Sequence, residues 1–186
     1  MATLVPSSGL RSAVVAWRPL APDDLAYVAA LERQIHAAPW TLGNFRDALA
    51  AGYCTMVGER EGRIVAFGVL MLAPGEAQIL NLSVVPDARR QGLGRALLRR
   101  LVDVAVRTGA EQCFLEVRVS NDAAQTMYRR FGYAPAGVRK NYYSETNEDA
   151  LVMWAHDVDL PSYADRLAAI ESGLRGTTTI EEGLIP

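Results

Sequence analysis

The sequence predicts a mixed α/β domain, a twisted mixed sheet of about seven strands with helices on both faces. Three observations carry that expectation. Short apolar runs alternate with helical patterns along most of the 186 residues. A strand–helix–strand unit spans residues 78–119, and such a crossover makes its two strands parallel and right-handed. Two further strands then read as a closing antiparallel pair.

Residues 1–12 read as a flexible lead, 13–158 as the domain, and 159–186 as a C-terminal extension. Val14 to Arg18 form a first strand. Pro22-Asp-Asp opens a helix carrying Leu25, Val28, Ala29 and Glu32, with proline in the first turn and acids at the positive end. Thr41 caps a second short helix through Leu49. Strands follow at Tyr53–Glu59 and Arg63–Leu72 around the tight turn Arg60-Glu-Gly, and Pro74-Gly-Glu leads into a strand over Gln78–Val85. From Gly92 to Thr108, Leu93, Leu97, Leu101 and Val104 recur at helical spacing, and Gly109 ends the helix. Glu111–Val119 is a strand, and Asn121 caps a helix through Arg130 that Gly132 stops. Tyr133–Arg139 and Ala150–Asp157 pair across a Lys140–Asp149 loop. In the extension, Tyr163, Leu167, Ile170 and Leu174 make an apolar stripe, and the helix near Ser162–Arg175 is expected to dock on the domain. Thr177–Pro186 is left as a mobile or partner-contacting end.

Composition narrows the function. Nineteen basic and 21 acidic residues give a net charge of −2, no basis for non-specific nucleic-acid binding. No apolar run approaches the roughly 20 residues of a membrane span, and Met1–Leu10 lacks the form of a secretory signal, so a cytoplasmic location is expected. Cys54 and Cys113 read as buried thiols. With only His36 and His156, and no cysteine cluster, no metal site is expected.

Two places carry chemistry. Arg89-Arg-Gln-Gly-Leu-Gly puts Gly92 and Gly94 at a helix start, where unpartnered N–H groups and the macrodipole suit a pyrophosphate. Solvated arginines on a glycine-rich helix start are the plainer reading. A dinucleotide fold competes, since Glu116 lies 22 residues after Gly94; against it, the turn follows the fourth strand and Leu97 stands where a third glycine belongs. A P-loop is excluded by the missing Gly-Lys-Ser/Thr. Glu116 interrupts the apolar strand Cys113-Phe-Leu-Glu-Val. A buried carboxylate there asks for a partner, with Arg118 nearest in sequence, or for a catalytic task. Tyr128 shares a helix face with Ala124, Met127 and Phe131, as an ordinary core aromatic would.

These segments, in this order, resemble the GCN5-related N-acetyltransferases (GNAT), and their wording resembles the RimI-type ribosomal-protein-alanine N-acetyltransferases. The resemblance covers about residues 13–158. It implies the GNAT fold and acetyl-CoA as co-substrate, with Arg90, Gln91, Gly92, Leu93, Gly94 and Arg95 around the pyrophosphate. It further implies that the backbone of Leu82, Ser83 and Val84 pairs with the pantetheine arm, and that Asn121 contacts acetyl-CoA. Glu116 becomes the general base and Tyr128, twelve residues on, the general acid. Ala38-Pro-Trp-Thr and Arg139-Lys-Asn-Tyr-Tyr match the elements framing that family's peptide groove, which places Trp40, Tyr142 and Tyr143 on the substrate side. The plainer readings are a helix-packing anchor for Trp40 and a half-buried strand end for the tyrosines. The implied partner is a protein N-terminus, usually the N-terminal alanine of ribosomal small-subunit protein 18. A single carboxylate suits an α-amine of pKa near 8, whose deprotonation at pH 7 costs about 1.4 kcal/mol against roughly 4.6 for lysine. A broader N-terminal or lysine acetyltransferase, and a non-catalytic acetyl-CoA-binding subunit, are the alternatives.

Overall fold

Where the chain reverses decides which strands become neighbours. Between Cys54–Arg60 (β2) and Arg63–Ala73 (β3) the whole connection is Glu61 and Gly62, at φ 52° and 73°. Two consecutive left-handed residues match the twist of an antiparallel pair. Pro74-Gly75 then turns β3 into Glu76–Val84 (β4). The computed structural model describes residues 14–173 and 178–180, so the lead at 1–12 and most of the end at 177–186 lie outside the described residues.

In chain order the elements are β1 (Val15–Pro19), α1 (Leu25–Ile35), α2 (Leu42–Ala50), β2, β3, β4, α3 (Leu93–Arg107), β5 (Gln112–Arg118), α4 (Asp122–Arg130), β6 (Ala134–Tyr143), β7 (Glu148–His156), α5 (Pro161–Ser172) and β8 (Thr178–Ile180). The sheet runs β6-β7-β5-β4-β3-β2-β1-β8. β4 and β5 are parallel across the α3 crossover, as the apolar pattern requires. Seven strands match the expectation, and β8 adds an eighth by pairing parallel with β1.

Two cores flank the sheet. One holds α1 and α2 through Val28, Ala29, Phe45 and Ala48 against Val57, Phe67 and Val69. The other holds Leu97, Leu98 and Leu101 of α3, Tyr128 of α4, and Tyr163 and Leu167 of α5 against Met56, Ala66 and Leu70. Helix α5 therefore docks. Its Tyr163 hydroxyl donates to the Phe131 carbonyl at 2.7 Å, satisfying the end of α4.

Two local expectations change. Pro22–Asp24 forms a 3-10 turn ahead of α1, because Asp24 accepts from the Ala21 N–H at 2.8 Å and pairs with Arg18 at 2.6 Å. The loop expected at Lys140–Asp149 shrinks to four residues as β6 and β7 run on. Asp149 holds that extension together, pairing with Lys140 at 2.7 Å and accepting from the Asn141 N–H at 2.8 Å.

Candidate active site

A single extra residue opens the sheet. β4 is in register with β5 only from Glu76 to Ile79, whereas it follows β3 all the way to Val84. Between those stretches Leu70 faces Ile79 and Val69 faces Asn81, which leaves Leu80 unpaired as a bulge. Ala77 and Ile79 belong to the α3-side core, but Leu80 packs on the α1 side, and Asn81 and Ser83 follow it there. Leu82 and Val84 are thereby turned toward α3. The Val85 N–H bonds to the Val65 carbonyl at 3.0 Å, so by alternation the N–H and C=O of Leu82 and Val84 point toward the departed β5. The Val84 carbonyl accepts from Arg89 Nε at 3.1 Å.

The glycine turn sits at the end of this opening. Gly92 caps α3 at φ 86°, a conformation costly for a residue with a Cβ. A Cβ on Gly94 would lie 3.4 Å from Met127 Sδ, so α4 closes over the turn. A cleft of about 840 Å³ results, lined by Leu82, Ser83, Val84, Arg90, Gly92, Leu93, Gly94, Arg95 and Asn121. Gln91 is the exception among the predicted turn residues. Its amide donates to the Asp87 carbonyl at 3.1 Å and accepts from Arg60 at 2.6 Å, bracing the turn from outside.

A smaller cleft, about 160 Å³, lies on the other side of the opening and gathers Trp40, Glu116, Tyr128 and Tyr143. His36, Leu82, Arg118 and Asn121 line both clefts and mark their junction. The Glu116 side chain is 6% exposed. Its Oε2 accepts from Gln78 at 2.9 Å. Its Oε1 lies 3.2 Å from the Arg139 guanidinium, at ion-pair distance without hydrogen-bond alignment. Arg118, the partner nearest in sequence, instead pairs with Glu148 at 2.8 Å and stacks on Tyr143 at 3.8 Å. Burial, with Tyr143 adding, raises the Tyr128 hydroxyl well above the phenolic range, so it stays protonated. Asn121 also caps α4, accepting from the Ala124 N–H at 3.1 Å. Trp40 packs on Phe45 with ring centroids 5.2 Å apart, an anchor as well as a wall. Tyr142 stays outside both clefts, edge-on to Tyr143 and 46% exposed.

Beneath the junction lies a polar cluster that strand and helix patterns did not single out. Glu32 is 2% exposed, and its carboxylate accepts from Asn81 Nδ2 at 3.0 Å, Ser83 Oγ at 3.3 Å and the Trp40 N–H at 3.2 Å. The signal was present: Glu32 occupies the fourth place on the stripe Leu25, Val28, Ala29. His36 reaches the same cluster with Nε2 at 2.8 Å from Ser83 Oγ. Burial holds this imidazole below its ordinary range, opposed by Glu32 and reinforced by Arg89 and Arg118.

The chain is similar in sequence and fold to known proteins. Residues 20–133 match the Acetyltransferase (GNAT) family. The [ribosomal protein bS18]-alanine N-acetyltransferase of Escherichia coli strain K12 is 38% identical over 136 residues, 72% of this chain and 92% of that protein. The crystal structure of the ribosomal-protein-S18-alanine N-acetyltransferase from Escherichia coli superimposes with a TM-score of 0.72 at 34% identity, covering 77% of this chain and 94% of that one. Ard1 from Thermoplasma volcanium gives 0.72 at 27% identity over 77% and 97%. A glycine turn on an opened sheet, a second cleft across the gap and these matched lengths lead to one conclusion: the chain belongs to the GNAT acetyltransferase family.

Proposed function

We propose that this protein transfers the acetyl group of acetyl-CoA to the N-terminal α-amine of a protein, foremost the N-terminal alanine of ribosomal small-subunit protein 18. The observation that carries the reading is the pair of clefts meeting at His36, Leu82, Arg118 and Asn121. Acetyl-CoA fits the larger one. The α3 N-terminus and the guanidinium groups of Arg90 and Arg95 offer donors and positive charge to a pyrophosphate, and Leu82 and Val84 offer strand-edge backbone to an amide-bearing arm. Bound there, acetyl-CoA supplies an activated thioester. The N–H of Leu82 or Val84 serves as the donor to its carbonyl oxygen.

The amine enters from the smaller cleft, past Trp40 and Tyr143. Glu116 takes a proton from it, directly or through a water, and Gln78 and Arg139 keep that carboxylate in place. The hydroxyl of Tyr128 gives a proton to the departing sulfur. No side chain is acylated, so both substrates are held at once. The similarity to enzymes named for ribosomal protein bS18 supports the α-amine and the ribosomal substrate, and such a substrate puts the enzyme in the cytoplasm. The test is incubation of the full chain with acetyl-CoA and a peptide beginning with the protein 18 N-terminal sequence, read by fragment mass spectrometry. Acetyl on the terminal nitrogen is the expected product. Acetyl only on lysine side chains would favour the broader acetyltransferase reading, and no free thiol release would refute catalysis.

A further inference from the structure

Transfer to an α-amine poses a question of proton number. An ammonium nitrogen ends as an amide, so it sheds two protons while the sulfur gains one. One proton leaves before attack and one as the carbon–nitrogen bond forms and the carbon–sulfur bond breaks. Glu116 accounts for one acceptor, and it is already engaged by Gln78 and Arg139.

We infer that His36 is the second proton acceptor, held ready by a buried Ser83–Glu32 relay beneath it; this rests on the reading that an α-amine is the acceptor. The hydrogen-bond network favours one tautomer. Asn81 Nδ2 donates to Glu32 Oε1 at 3.0 Å, which leaves Asn81 Oδ1 as an acceptor. Ser83 Oγ lies 3.1 Å from that oxygen, 3.3 Å from Glu32 Oε2 and 2.8 Å from His36 Nε2; of these the buried carboxylate is the strongest acceptor, which places the hydroxyl proton on Glu32. Toward His36 Nε2, at 2.8 Å, Ser83 therefore offers a lone pair, and Nε2 carries the hydrogen. Nδ1 of the neutral ring is left with its lone pair, on a side chain that lines both clefts and is 37% exposed. Glu32 Oε2, 3.7 Å from Nε2, stabilises the ring once it is charged. This is the arrangement by which a buried carboxylate orients and supports a catalytic imidazole, with a hydroxyl interposed.

The proton inventory then balances. Glu116 takes the first proton from the ammonium group, and His36 Nδ1 takes the second as the bond to carbon forms. Tyr128 gives one to sulfur and is restored from one of the two acceptors, so one proton leaves to solvent. The charged groups facing His36 are Glu32 from α1, Arg89 after β4 and Arg118 from β5. The two arginines disfavour a resting charge on the ring, which suits an acceptor.

The test is steady-state kinetics of the full chain, with acetyl-CoA and a peptide of N-terminal alanine, across about pH 5.5 to 9. His36→Gln retains an amide donor for Ser83 and has no basic nitrogen. Its turnover at pH 7.5 is expected to fall about tenfold to a hundredfold. The acidic limb that the imidazole gives the wild type, below the ordinary imidazole range, should vanish, with the loss persisting at saturating acetyl-CoA. In His36→Gly, added imidazole should restore part of the rate. Turnover within about threefold of wild type would overturn the inference. So would a large loss that keeps the acidic limb and ignores imidazole, because a packing strut behaves that way. If the wild type leaves the α-amine unmodified, the underlying reading itself fails, an outcome visible before any variant is made.

Discussion

The two walls of the opened sheet are built from different materials. The wall of the larger cleft, where we propose acetyl-CoA binds, draws on two nearby stretches, Leu82–Val84 and Ala88–Arg95, with α4 across from them and Gly92 at φ 86° at the helix start. The acceptor wall is side chain, drawn from α1, the loop at Trp40, β4, β5, α4 and β6. The difference teaches how the labour divides. On the proposed reading, a diphosphate arm common to every reaction cycle would be met by fixed N–H groups, whereas proton movement needs titratable groups whose neighbours tune them.

Three substitutions break or sharpen that contrast. Glu116→Gln should have the largest effect, lowering turnover by about 10²- to 10³-fold with acetyl-CoA affinity unchanged, as stopped assays beside calorimetry would show. The defect should shrink as pH rises and free amine accumulates. A comparable loss of acetyl-CoA binding would erase the division between the walls. Gly94→Glu should weaken acetyl-CoA binding by at least about tenfold through bulk and like charge, with turnover at saturation little altered. An acid at a helix N-terminus suits the macrodipole, so this variant should fold, and calorimetry can read affinity alone. Unchanged affinity would sink the assignment of the backbone wall. Gly92→Ala should act least, costing about 1 to 2 kcal/mol in urea unfolding because φ 86° strains an alanine. A neutral Gly92→Ala would mean that the turn relaxes and that its main-chain shape is not the determinant.

The contrast also explains what was legible in the sequence. Two lining stretches close together in sequence leave a local trace, so the turn, the α3 stripe and the strand before it were readable. Glu116 was readable because an acid in Cys113-Phe-Leu-Glu-Val breaks an apolar run. Its partner was not, because Arg139 reaches it only once β7 and β6 are laid beside β5. The bulge was hidden for a different reason. Strict alternation puts Asn81 and Ser83 on the side of Ile79, and nothing local announces that Leu80 shifts the phase. With the phase unknown, Ser83 was visible only for its backbone, and Glu32 only as one member of a helix stripe. The extension's stripe foretold a docked helix, since Tyr163 and Leu167 are buried. Its return to the sheet as β8 has no such pattern, because three residues are too few to show one.

That return has a consequence for how the molecule lives among copies of itself. A sheet border with vacant donors and acceptors is a template for strand-to-strand association between molecules. At the β1 border Val15 to Trp17 pair with Thr178 to Ile180, so the outermost strand among the described residues is only three residues long, a poor template by its shortness. The opposite border, β6, pairs only with β7 among the described residues, yet it is a poor template. Its register slips twice, at Pro135/Gly137 and at Arg139/Tyr143, and it presents Arg139 and Lys140 to solvent. One border is short and the other is kinked and charged, two separate features that oppose edge-to-edge polymerisation.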